Sequence, residues 1–199
     1  MAQQKRTPGK GTGAAQKGKQ EKISATIELP QGITASFTDG VLTLKGQKGE
    51  ASHSIEERKV SLQVQGATVI VTGKGAAQKD KMMVGTVEAH VRNLVRGVQE
   101  PYKYTLKICS GHFPMTVAVQ GDKLTIKNFF GEKVPRMLHL KKGAAVKVEG
   151  DKITVESSSK ETAGQVSADI EQLVRRPGFD TRIFQDGIYI INKHGKEIK

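Results

Sequence analysis

The chain has 199 residues, 36% hydrophobic and only 5% aromatic, with no Trp; this allows one large core or two small ones of Val, Ile and Leu and argues against a big ring-lined ligand cavity. Its 32 Lys plus Arg against 20 Asp plus Glu give a formal net charge of +12, a field that draws polyanions, and apolar runs as short as Ile188–Ile191 favour nucleic acid over a membrane as the partner. Cys109 is the only cysteine, which excludes an intrachain disulfide and a cysteine-rich zinc site.

Residues 1–22 form a zone apart: Lys5, Arg6, Lys10, Lys17, Lys19 and Lys22 stand against the single acid Glu21, with glycines between and no large aliphatic residue after Met1. Such a segment buries too little apolar surface to offset the entropy of ordering it, so it is expected to be a disordered basic arm. It lacks the apolar stretch of a secretory signal, and a reducing, cytoplasmic location is expected. From Ile23 the texture changes. Ile23, Ala25, Ile27 and Leu29 alternate with polar residues; Ile33, Ala35 and Phe37 do so before Asp39-Gly40, Leu42 and Leu44 after it, then Val60, Leu62 and Val64, and past Gly66 Val69 and Val71. Period two punctuated by glycine predicts antiparallel strands with one buried face. Val84, Val87, Val91, Leu94, Val95 and Val98 then recur at helical spacing, with Asp80 as a starting cap or first-turn acid and Gly97 where the helix could stop.

The pattern returns. Thr34–Lys45 aligns with Thr116–Lys127, Gly49-Glu50 with Gly131-Glu132, and Val64–Val71 with Val148–Val155. Ala163, Val166, Ile170, Leu173 and Val174 supply the second helix. The chain therefore reads as an α+β protein of two tandem copies of a small antiparallel-sheet-plus-helix domain, an internal duplication too long in period for a solenoid. The expected bounds are an arm at 1–22, copy one at 23–100, copy two at 101–191 and a basic tail at 192–199.

An enzyme would require a constellation of reactive groups. The five histidines are scattered in sequence without metal-ligand spacing, and Cys109 sits in an alternating strand as a structural thiol would. Gly13–Lys19 has the spacing of a phosphate-binding P-loop but ends in Gln20 instead of Ser or Thr, with no strand before it. Glu56-Glu57 and Asp169 with Glu171 lie in solvated patterns. No catalytic residue, cofactor, metal site or small-molecule substrate is expected.

Cations beside glycines and rings offer the stronger lead, because a backbone free of side chains approaches phosphate and an aromatic ring can stack on an unpaired base. They gather in copy two, and one stretch concentrates them: Lys127-Asn128-Phe129-Phe130-Gly131-Glu132-Lys133-Val134-Pro135-Arg136. Copy one reads Gly46-Gln47-Lys48-Gly49-Glu50-Ala51 in the equivalent place and has neither ring, so the rings are no requirement of the fold. Lys127, Lys133, Arg136, Lys141, Lys142, Arg175, Arg176, Arg182, Lys193 and Lys196 are the candidates to neutralise phosphates. Asn128, Phe129, Phe130, Gly131, Pro135, Asp186, Gly187 and Tyr189 are expected to brace the loops. Taken singly, Arg175-Arg176 could only compensate a helix end, and Asp186-Gly187 could be a plain hairpin turn.

Asn128–Arg136 resembles the Asn-Phe-Leu-Gly-Glu-Lys loop of ribosomal protein six of the large subunit, in its archaeal and eukaryotic branch. Ala89–Val98, Tyr102-Lys103-Tyr104, His112-Phe113-Pro114 and Arg182–Tyr189 resemble further segments of that family in the same order. Phe130 stands for the usual Leu, and Ser110-Gly111 replaces Tyr-Ser before His112. The resemblance implies a structural ribosomal protein of two related domains. It further implies that the second domain and tail bind large-subunit rRNA near the sarcin–ricin loop and stalk base, beside other ribosomal proteins and the site where translation factors dock. The alternative is a tandem-domain protein-interaction module with a basic surface.

Overall fold

In the computed structural model of the chain, which describes residues 23–55, 60–75, 77–180 and 182–198, the first alternating run becomes β1 (Ser24–Glu28). β2 (Thr34–Thr38), β3 (Val41–Gly46) and β4 (Gly49–Ser54) form one antiparallel meander. β5 (Val60–Gln65) and β6 (Thr68–Gly73) join β1 in a second sheet of order β1-β6-β5. The pairing Ile27↔Val69 and Leu62↔Val71 places apolar residues side by side on one face. That face is covered by α1 (Gln78–Gln99), whose Val84, Val87, Val91, Leu94, Val95 and Val98 are buried. Each fully buried aliphatic side chain contributes roughly 1.5–3 kcal/mol relative to exposure. Asp80 folds back to accept a hydrogen bond from the Ala77 amide at 3.1 Å, so the helix begins as its acid predicts.

Copy two repeats the order with β7 (Tyr102–Cys109), β8 (Thr116–Gln120), β9 (Lys123–Lys127), β10 (Arg136–His139), β11 (Ala144–Glu149), β12 (Lys152–Ser157) and α2 (Lys160–Leu173). The sheet β10-β9-β8 mirrors β4-β3-β2, and β11-β12-β7 mirrors β5-β6-β1. Each copy has a separate hydrophobic cluster, the second built on Leu106, Leu124, Ile126, Phe129, Ile153, Val155, Val166, Ile170 and Ile188. The α+β duplication is thus present strand for strand. Copy two adds β13 (Gly187–Lys193), which pairs with the free edge of β7, and β14 (Lys196–Glu197).

Four expectations require correction. Gly97 does not end α1, which runs on to Gln99. Its missing side chain serves packing, because a Cβ there would come within 1.9 Å of the Ser158 carbonyl oxygen and 2.8 Å of the Tyr102 ring. Arg175-Arg176 stand beyond the end of α2, whose last turn carries no basic residue. The basic tail expected at 192–199 begins inside a strand: β13 continues to Lys193 and turns through His194 (φ 47) and Gly195 (φ 83) into β14, the two-residue turn whose twist suits a hairpin. Asp186-Gly187 is not a hairpin turn but the entry to β13. The arm at 1–22 and Glu56-Glu57 lie outside the described residues, as does Lys199.

The copies meet where α1 passes the β12–α2 connection. Ser158 Oγ donates to the Glu50 carbonyl at 2.8 Å, and the Tyr102 hydroxyl donates to the Asn93 carbonyl at 3.0 Å.

Candidate nucleic-acid interface

The loop between β9 and β10 departs sharply from its two-residue counterpart in copy one, where Gly46 pairs with Gly49. Asn128 (φ 61), Phe130 (φ 48) and Gly131 (φ 74) all take left-handed angles around a single 3-10 turn. For a residue with a side chain that conformation costs about 1–2 kcal/mol, and for a phenylalanine it is rare. Glycine at 131 was legible; two further left-handed residues were not. Compensating contacts surround them. The Asn128 amide donates to the Pro114 carbonyl at 2.9 Å. Phe129 is 2% exposed in the core, and the Phe130 ring meets it edge-on at 4.8 Å. Pro135 is half-buried at the exit into β10. These contacts hold Asn128 and Phe129 within the loop and the core beneath it.

Arg136 joins them. Its Nε and Nη2 donate to the two Glu132 oxygens at 2.9 and 2.7 Å, and its Nη1 donates to the Leu173 carbonyl at the end of α2 at 2.7 Å. Its guanidinium lies 4.5 Å over the Phe129 ring. The bond from Arg136 holds the Glu132 carboxyl below its ordinary range against the opposing effect of burial. Arg136, a phosphate candidate in sequence, directs its guanidinium to Glu132 and the Leu173 carbonyl and so links the loop to the helix end.

A second brace fixes the neighbouring loop. Asp186 is buried, and its Oδ1 accepts from the amides of Gly111 (2.5 Å) and His112 (3.0 Å), while its Oδ2 stands 2.5 Å from His112 Nδ1. Burial alone would raise the Asp186 pKa; the bonds from the His112 amide and ring and from the Gly111 amide outweigh it and set the carboxyl below its ordinary range. The role of Asp186 was invisible in sequence because its partners stand 74 and 75 residues earlier.

Between these braces opens a cleft of about 530 Å³ lined by Phe130, Val174, Arg175, Arg176, Phe179, Phe184 and Tyr189, among others. The Arg176 guanidinium lies 4.4 Å from the Phe179 ring and 5.4 Å from Phe130. Phe184 packs edge-on against Phe179 at 5.0 Å and beside His112 at 5.1 Å. Rings hold a guanidinium by its face and leave its planar fork of N–H donors for an anion. Phe179 and Phe184 were not among the candidates. Scarcity could have flagged them, since every phenylalanine except Phe37 lies in copy two.

The remaining candidates do not form one patch. Lys127 and Lys133 flank the ring loop and are exposed, as is Arg175 at the cleft. Arg182 is exposed but forks onto Asp180 at 3.1 and 2.9 Å, which lowers the Asp180 pKa and offsets its own charge locally. Lys141 and Lys142 follow β10 at the other end of β9, where the Leu140 amide bonds the Asp122 carbonyl. Lys193 and Lys196 pair across the β13–β14 turn, and the adjoining His194 amide bonds the Lys103 carbonyl. From Tyr189 to Lys193 a strand advances roughly 13 Å, so the hairpin cations stand well away from the cleft. Gly187 opens β13, and Tyr189 donates its hydroxyl to the Gln185 carbonyl at 3.2 Å.

Fold and site together define a duplicated α+β protein in which, among the described residues, the second copy carries a ring-bearing basic loop beside a cleft. The match to the family model described as Ribosomal protein L6, over residues 29–101 and 113–187, falls on the two copies in turn. The chain is 40% identical to the Large ribosomal subunit protein uL6 of Methanosarcina mazei over 173 residues, covering 87% of this chain and 98% of that protein. It is 44% identical to the protein of the same name in Methanocella arvoryzae over 169 residues (84% and 95%) and 39% to that of Methanobrevibacter smithii over 171 (86% and 96%). The chain belongs to the ribosomal protein L6 family, a family of ribosomal proteins and not of enzymes. Among the described residues no helix is long and apolar enough to cross a membrane.

Proposed function

We propose that this protein is a structural component of the cytoplasmic large ribosomal subunit that binds large-subunit rRNA through its second copy, near the sarcin–ricin loop and stalk base. The observation that carries the reading is Arg176, held by its face against Phe179 and Phe130 with exposed Arg175 in the same cleft. The braced loop presents Lys127 and Lys133 as phosphate ligands at little further entropic cost, because its backbone is already ordered. Arg182, Lys141, Lys142, Lys193 and Lys196 add separate backbone contacts along the copy. Phe130 stays with the braces, closing the cleft floor.

Val134 (77% exposed), Met137 (62%) and Ile183 (66%) stand outward from the same region. They suit a neighbouring ribosomal protein or a translation factor at the stalk base, in place of a free-standing interaction module. Hydroxyl-radical footprinting of reconstituted large subunits with and without the protein tests the placement. Protection is expected at the sarcin–ricin loop and stalk base; protection confined to other rRNA regions overturns the placement. A stable protein complex that survives nuclease treatment, with no co-sedimentation with large subunits, supports the module instead.

A further inference from the structure

His53 on β4, His90 on α1 and Glu161 in the first turn of α2 are far apart in sequence, yet the fold brings them together where the two copies meet. His53 Nδ1 lies 3.3 Å from Glu161 Oε2 and His90 Nδ1 lies 2.8 Å from Glu161 Oε1. The two imidazoles stack at 4.4 Å with 17° between their planes. One donor atom from each residue lies within 4.8 Å of the others.

The position of Glu161 alone is explained by the helix start, which favours an acid. The convergence of two Nδ1 atoms from the other copy on its two oxygens is not. Each imidazole offers one in-plane nitrogen lone pair to a cation, and the carboxylate offers a third donor. Two imidazoles and one carboxylate make a donor set that zinc accepts, with a fourth position for water. Bonds of about 2.0–2.1 Å in a tetrahedron put donors roughly 3.3 Å apart, so the two rings have to tilt out of their stack to bring both in-plane lone pairs onto one ion. Glu161 is exposed and both rings are partly so, which leaves a path for the ion and its water.

We propose that His53, His90 and Glu161 bind a divalent transition-metal ion of the zinc class, which clips α2 of the second copy to β4 and α1 of the first. The site has no part in the rRNA reading and stands or falls apart from it. Direct ligation has to overcome the net charge of +12, which repels cations at long range but is screened beyond about 10 Å at ordinary salt.

The test is titration of the nuclease-treated full-length chain with Zn²⁺ by calorimetry and with Co²⁺ by visible absorption, alongside thermal unfolding. Expected are one high-affinity equivalent per chain, a tetrahedral Co²⁺ band and a Tm raised by Zn²⁺. Loss of an outer-shell partner weakens metal affinity by roughly 10–100-fold; loss of a ligand, in His90→Gln or Glu161→Gln, should exceed the lower end of that range. His139→Gln, which removes a histidine outside the cluster, should leave affinity unchanged. Circular dichroism checks that each variant is folded, and His53→Gln, on a different element, reports independently should another variant unfold. Absence of stoichiometric binding, or affinity in all three ligand variants equal to that of the unaltered chain, overturns the site. A bound equivalent that leaves Tm unchanged overturns the clip.

Discussion

Arg136 carries three hydrogen bonds and covers a buried ring, so its loss should register first as instability of the loop. Hydrogen bonds to charged groups contribute about 1.5–3 kcal/mol, and Arg136→Ala is expected to destabilise the protein by about 2 kcal/mol in denaturant unfolding. Lys133→Ala and Arg175→Ala should behave in the opposite manner. Both side chains are exposed, so stability should change by less than about 0.5 kcal/mol. Each should instead weaken rRNA binding and reduce the slope of log affinity against log salt by roughly 0.7–0.9. If Arg136→Ala reduced the slope while leaving stability intact, the division between braces and contacts would be reversed. Asp186 supplies the pH prediction. Its carboxyl is held below the ordinary range in the folded state, so its contribution is present above the unfolded pKa and is lost as pH falls through the folded value. Acid should therefore loosen the Gly111–His112 segment, seen as faster amide exchange there below the ordinary carboxylate range. Asp186→Asn should lose that pH dependence while retaining an acceptor.

At the scale of elements, Gly97 sets two effects against each other. Alanine in a helix interior is favoured over glycine by about 1 kcal/mol. The Cβ would nevertheless lie 1.9 Å from the Ser158 carbonyl oxygen, and such overpacking costs typically about 1–3 kcal/mol. The clash involves backbone and should win, so Gly97→Ala is expected to lower Tm and to disturb the join between the copies. An unchanged or raised Tm would show that the copies separate easily at that contact. Glycine also marks what sequence could and could not convey here. The alternating runs and the valine stripe of α1 determine strand and helix locally, so those elements were legible. The role of Gly97 depends on Ser158 in another copy, and the left-handed Phe130 depends on Phe129, Phe179 and Arg176 around it. Neither leaves a local pattern. The β13–β14 hairpin was missed for a related reason: a basic composition masked a His194-Gly195 turn.

Across the whole molecule, the duplication was legible because each copy repeats its hydrophobic register, which the sheets β1-β6-β5 and β11-β12-β7 then repeat in space. That copy two alone has rings in the β9–β10 loop was legible too, since copy one reads Gly46–Ala51 in the equivalent place. The inward turn of Arg136, and the spread of the cations between the cleft, the Lys141-Lys142 turn and the terminal hairpin, arise from tertiary pairing and were not. Because those cations stand at separate places on the copy, the proposed rRNA binding should be strongly electrostatic and distributed. The most direct measurement is the affinity of the full chain for large-subunit rRNA fragments across a salt series, beside a variant with Lys127, Lys133, Arg175 and Arg176 all changed to Gln. The account predicts a steep log–log decline for the unaltered chain and a slope shallower by roughly 3 for the variant, at 0.7–0.9 per phosphate contact. An affinity insensitive to salt, or the same slope in both proteins, would contradict it.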